Sequence, residues 1–192
     1  MSLTFVLDQA QRDFLGQQAR VAIESRLFGH AEAVPAQPVQ SAGDRAADPL
    51  LRNLGSFVTL HLDGNLRGCI GTIIAREPLY LNVWNMARAA AFEDPRFHPL
   101  TRHEWKGVDM EISVLDEPSP CPDPSGIVIG RDGLILRARG QTGVFLPQVP
   151  VEQGWDLPTY LRMLCGKAGL PGNAWRWKDA RLFWYQAQVF GV

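Results

Sequence analysis

The stretch LRGCIGT, Leu66–Thr72, decides how the rest of the chain is read. An arginine, a cysteine and two glycines sit in a segment that otherwise has the pattern of a β-strand. Glycine packs poorly in a strand, and two of them mark a close approach of backbone, a ligand or a bulge. Just upstream, FVTLHLDGN alternates and then breaks at Asp63-Gly64-Asn65, which signals a hairpin. Loop length sets the register. A two-residue turn places Arg67 and Cys69 on the face of Val58, Leu60 and Leu62. A three-residue loop, Asp63 to Asn65, places them with Phe57, Thr59 and His61. Only the second separates apolar from polar side chains, and register follows the buried face. The expectation is therefore strands over 57–62 and 66–74, with Arg67 opposite His61 and Cys69 opposite Thr59. Gly68 and Gly71 then leave bare backbone beside a polar strip of Arg67, Cys69, Thr59 and His61.

Outward from the hairpin, residues 8–28 read as a helix. Asp8 is its cap, Leu15, Ala19, Ala22, Ile23 and Leu27 its apolar stripe, and Gly29 its stop. Residues 32–55, rich in Ala, Pro, Gly and Gln, read as a mobile connecting loop; a lid over a site is the second reading. EPLYLNVWNMARAAAFEDP is a helix with Pro78 in its first turn, expected on the apolar face of the hairpin. FEDPRFHPL is a proline-bounded loop in which Asp94 and Arg96 brace each other. VDMEISVL, 108–115, alternates cleanly as a half-polar strand. IVIGRDGLIL reads as a second hairpin around Arg131-Asp132-Gly133, and GVFLPQV as a further strand or edge. DLPTYLRMLCGKAG is a short helix capped by Asp156. LFWYQAQVF closes the chain as one strand. Hairpins interspersed with helices predict an α+β fold with mainly antiparallel sheets.

The 192 residues suffice for one domain or two small subdomains, and 46% apolar with 20% charged residues makes the chain globular. A net charge of −1 argues against a generally basic nucleic-acid binder. Without basic residues interleaved on a common surface, the six tryptophans read as core and interface anchors. Nucleic acid is not expected as a partner. Three cysteines, Cys69, Cys121 and Cys165, give no disulfide framework and fit a reducing cytoplasm. The N-terminus lacks the pattern of a signal peptide, and no apolar run is long enough for a bilayer. His98 and His103 lack zinc-site spacing, so no metal is expected, and no cofactor-binding fingerprint is present.

Several segments carry a resemblance in the order LRGCIGT, AAAFEDPRFHPLT, EISVL, IGRDGLIL, GVFLPQVPVEQGWD and LCGKAGL. Over roughly residues 5–190 the chain resembles the AMMECR domain family, whose bacterial members are also called AmmeMemoRadiSam system protein A. The resemblance implies one AMMECR-like domain over 1–192, of two intertwined subdomains around a cleft, with no firmly established activity. It also implies two partners, a Memo-type protein similar to extradiol dioxygenases and a radical-SAM protein. Leu66, Arg67, Gly68, Cys69, Ile70 and Gly71 carry over. The chain departs from the family at His98, where proline is usual, and at QVFGV, which lacks an acidic residue often found there.

Two functional readings stand. In the first, Cys69 is a nucleophile or redox thiol acting on a small anionic substrate. Arg67, Gly68, Gly71 and Thr59 bind that ligand, and Glu111 and His61 are acid/base candidates. The matching packing readings are a buried cysteine, an Arg67 ion pair with Glu111 or Asp94, and a structural role for Glu111. In the second, the chain is an accessory subunit or adaptor whose same strip binds a metabolite or partner; a homodimer is one further arrangement.

Overall fold

The computed structural model describes residues 3–29, 33–38 and 48–192. Part of the expected connecting loop, residues 32 and 39–47, lies outside the described residues; at its end Pro49–Leu51 forms a 3-10 turn and Gly55 already begins a strand. The elements are helices and hairpins in alternation: α1 (Gln9–Phe28), β1 (Gly55–Leu62), β2 (Asn65–Thr72), α2 (Leu79–Phe92), α3 (Arg102–Trp105) and β3 (Val108–Leu115). There follow β4 (Ser119–Pro120), β5 (Gly133–Ala138), β6 (Gln141–Phe145), α4 (Val149–Glu152), α5 (Leu157–Lys167), β7 (Arg181–Tyr185) and β8 (Ala187–Gly191). The strands form two four-stranded sheets, ordered β2-β1-β3-β8 and β4-β7-β5-β6, so the fold is α+β.

The chain divides into two compact units. The larger comprises Thr4–Leu115 with Gln188–Val192, and the smaller is built on Asp116–Ala187. In the larger unit α1 starts where Asp8 accepts the Gln11 N–H in a reciprocal capping box and stops at Gly29, whose φ is 81°. Leu15, Ala19, Ala22 and Ile23 are fully buried along its stripe. Helix α2 lies on the apolar face of the first hairpin, burying Leu79, Val83, Ala87 and Ala90 over Val58 and Leu60. The Ser56 hydroxyl also donates to Asn82 Oδ1 at 2.6 Å, tying β1 to that helix.

The hairpin reaches the expected facing by a different route. Its turn has two residues, Asp63 and Gly64, with φ of 51° and 75°. Positive φ at both positions is the type I′ geometry that matches strand twist. His61 consequently opposes Leu66, and Leu62 opposes Asn65. The register then slips between Leu60 and His61, so that Leu60 opposes Gly68 and Thr59 opposes Cys69. Arg67 is the extra residue of this β-bulge. The three-residue loop and the Arg67–His61 pair are thereby corrected, while the Thr59–Cys69 pair stands. The bulge restores the segregation of faces that a two-residue turn alone would lose.

In the smaller unit the second hairpin lies elsewhere than expected. Residues 127–130 are not a strand; β5 pairs with β6 across Arg139-Gly140, where φ is 49° and 77°. The reason is Asp132. Its buried carboxylate accepts the Val128 N–H and the Arg131 guanidinium, folding 128–132 into a local turn. Helix α5, capped by Asp156 on the Thr159 N–H, packs Tyr160, Leu161, Leu164 and Cys165 against Leu134 and Leu136 of β5. The closing segment LFWYQAQVF is two strands, not one. It breaks at Gln186, with β7 in the smaller unit's sheet and β8 completing the larger unit's sheet.

Candidate functional site

Strand β2 is an edge of its sheet, so one row of its backbone groups faces away from β1. Such a row needs a partner or a cover. The loop after α2 provides one. The Cys69 N–H donates to Asp94 Oδ2 at 2.9 Å, and Arg96 Nη2 donates to the Cys69 carbonyl at 3.2 Å. Asp94 and Arg96 brace each other at 2.7 Å, as their spacing suggested. The Asp94 side chain is 2% exposed and that of Arg96 53%. The Arg96 guanidinium and the Cys69 N–H hold the Asp94 carboxyl well below the usual carboxylate range, against the opposing effect of burial.

Arg67, thrown out of register by the bulge, reaches the far end of the same loop. Its Nε donates to Glu104 Oε1 at 2.8 Å, and its Nη2 donates to Glu104 Oε2 at 3.2 Å and to the His98 carbonyl at 2.9 Å. Its ion-pair partner is thus Glu104, not Glu111 or Asp94. The pair is largely enclosed, at 11% exposure for Arg67 and 26% for Glu104. Arg67 first, with Thr101 adding hydrogen bonds, pulls the Glu104 carboxyl down to about 2. Glu104 also closes a capping box with Thr101, accepting from the Thr101 N–H and hydroxyl at the start of α3. Sequence reasoning missed Glu104, yet its signal was present. Thr101-Arg102-His103-Glu104 has the S/T-x-x-E spacing of a capping box.

The two arginines flank one ring. The guanidinium carbons of Arg67 and Arg96 lie 5.7 and 5.4 Å from the Phe97 centroid. Around them is an open pocket of about 410 Å³, lined by Arg67, Arg96, Phe97, His98, Pro99, Thr101 and Glu104.

The remaining sequence candidates fall into rows across the sheet. Cys69, Thr59 and Glu111 are successive partners on β2, β1 and β3. The Thr59 hydroxyl donates to Cys69 Sγ at 3.4 Å. His61 lies in the next row, between Leu66 and Asp109. Cys69 is half-buried, whereas Cys121 and Cys165 are buried. Burial pushes the Cys121 thiol up to about 11. The space beside the two glycines is occupied. A Cβ on Gly68 would stand 2.2 Å from the Ala90 carbonyl oxygen of α2, and the Phe57 ring lies over Gly71. Among the described residues no group of three His, Cys, Asp or Glu could hold a metal ion, and no helix is long and apolar enough to cross a membrane.

This chain's likeness to known proteins extends over both units. The model of the AMMECR1 family matches residues 17–190. Protein MJ0810 of Methanocaldococcus jannaschii is 37% identical over 185 residues, covering 92% of this chain and 88% of that protein. A protein of Methanothermobacter thermautotrophicus is 39% identical over 178 residues, covering 90% and 89%. The crystal structure of the uncharacterised protein PH0010 from Pyrococcus horikoshii superposes with a TM-score of 0.82 at 35% identity, covering 93% of this chain and 89% of that one. With a family model spanning most of its length and relatives of this identity, the chain belongs to the AMMECR1 family.

Proposed function

We propose that the chain is a non-catalytic accessory subunit of the cytoplasm that works with a Memo-type protein and a radical-SAM protein. Its 94–104 loop and arginine-lined pocket form the surface that receives a partner segment or a small anionic ligand. One observation carries this reading: the LRGCIG residues are spent on holding that loop. Both outward backbone groups of Cys69 bond Asp94 and Arg96, and three N–H bonds of Arg67 go to Glu104 and His98. A loop fixed from both ends loses little conformational entropy when it binds. Phe97 between two guanidiniums is the kind of aromatic and arginine cluster that anchors interfaces. The test is co-purification of the full chain with each partner. Cys69→Ser should leave complex formation intact, because the loop is held by the backbone of residue 69. Phe97→Ala with Arg96→Gln should weaken it by at least about ten-fold. Loss of the complex in Cys69→Ser alone would overturn the reading.

A second reading, an enzyme using Cys69 as nucleophile or redox thiol, is favoured by one observation. Cys69 is the half-buried cysteine, and its sulfur accepts from Thr59 in a row that continues to Glu111. In that reading Arg67 holds the substrate's anionic group, and Glu111 and His61 are the acid/base candidates. The pH-dependent alkylation rate of each cysteine in the folded protein decides it. Fast labelling of Cys69 with an apparent pKa well below about 8.5 supports the enzyme. Labelling only on unfolding removes it.

A further inference from the structure

One face of the smaller unit's sheet, buried at Ile135 and Tyr185, ends in a pair of exposed arginines. Arg137 of β5 and Arg181 of β7 are direct cross-strand partners, and both are exposed. Side chains in that relation start about 5 Å apart and share a face, and like charges so placed repel. Among the described residues neither arginine forms an ion pair; the acid nearby, Asp179, is paired with Arg139 at 3.6 Å. On the other flank of Arg137, directly opposite it on β6, stands the exposed residue Thr142.

Contacts at the rim orient these groups without discharging them. Arg181 Nη1 donates to the carbonyls of Lys178 and Ala180 at 3.2 and 3.1 Å. The Arg137 guanidinium lies 5.3 Å from the centre of the Phe183 ring. Arg139, at the hairpin turn next to Arg137, lies 4.0 Å from the Trp177 ring centre. Backbone carbonyls and aromatic faces accept N–H groups and attract cations, but they supply no counter-charge.

We propose that the cross-strand row Arg181–Arg137–Thr142 is a binding site for a phosphate monoester. The chemistry selects the class. Two adjacent guanidinium forks offer parallel N–H donors to several oxygens of one anion, and the hydroxyl can donate to another. A phosphate monoester carries close to two negative charges at neutral pH, so it discharges the pair where a single carboxylate leaves one charge over. This inference is independent of the pocket on the larger unit. The same group reaches the site from two sources, a phosphorylated small metabolite or a phosphorylated side chain of a partner protein.

The experiment is calorimetry and thermal melting of the full chain with inorganic phosphate, a nucleoside monophosphate and a phosphoserine peptide at fixed ionic strength, with chloride as control. The phosphate compounds should bind saturably and raise Tm beyond chloride. R137Q/R181Q should lose at least about ten-fold in affinity, and Thr142→Val should lose less. Without ligand, R137Q/R181Q should melt no lower than the parent, because it removes a repulsion. Should that variant fold poorly, Arg181→Lys, which keeps the charge but loses the fork, should still weaken binding. Tighter binding of the peptide or of the nucleotide identifies the source. Equal responses to phosphate and chloride, or an unchanged response in R137Q/R181Q, would overturn the proposal.

Discussion

Glu104 does two jobs with one carboxylate, and its removal should be felt in both. Glu104→Gln leaves the mostly buried Arg67 guanidinium without its counter-charge and weakens the α3 cap. Losing a partner of a buried charged group costs about 1–3 kcal/mol, which chemical denaturation should register as a lower midpoint. The same carboxyl and that of Asp94 make the stability of the larger unit depend on pH in acid. Each binds fewer protons folded than unfolded, because its folded pKa lies below the ordinary values of 4.5 and 3.8. The stability they contribute is therefore complete above those ordinary values. It drains as pH falls from about pH 5 toward the depressed folded values, about 2 for Glu104 and lower still for Asp94. Melts across that window should show a steep loss for the parent and a shallower one for Glu104→Gln and for Asp94→Asn. Little of this was legible beforehand. The Asp94–Arg96 brace is local and readable from two residues' spacing, whereas Arg67 and Glu104 are 37 positions apart and meet only because a bulge redirects Arg67.

At the scale of elements, legibility followed the strength of local signals. Helix α1 carries a cap, a stripe and a glycine stop, and the sequence of β3 alternates from Val108 to Val114, although its last four residues are all buried; both were readable with their boundaries. The hairpin turns were harder, because Asp63-Gly64, Arg131-Asp132-Gly133 and Arg139-Gly140 all carry turn chemistry. Which of them joins two strands depends on what the flanking residues bury. The division of the last segment at Gln186 has no glycine or proline to announce it. The contact between α2 and β2 rests on Gly68, where a side chain would collide with the Ala90 carbonyl. Gly68→Ala should force the helix and strand apart at a cost of about 1–3 kcal/mol, the usual range for overpacking. A lowered Tm would check it, with Gly64→Ala as a contrasting variant strained by backbone conformation alone, since nothing lies within 4 Å of its added carbon.

For the whole molecule, the order of strands and the order of chain disagree in an informative way. The larger unit's sheet takes three strands from residues before 116 and its fourth, β8, from residues after 186. Removing Ala187–Val192 should uncover the β3 edge, including the Met110 carbonyl that now accepts the Val192 N–H. A lower Tm and raised light scattering are expected. The chain leaves for the smaller unit and returns from it at neighbouring points, since the Asp116 N–H donates to the Gln186 carbonyl at 2.9 Å. On the ribosome this wiring imposes a schedule. At synthesis rates of about 5–20 residues per second, the 70 or so residues from 116 to 186 occupy several seconds. Throughout that interval the nascent β3 has no β8 beside it, and its edge is open to pairing with another chain.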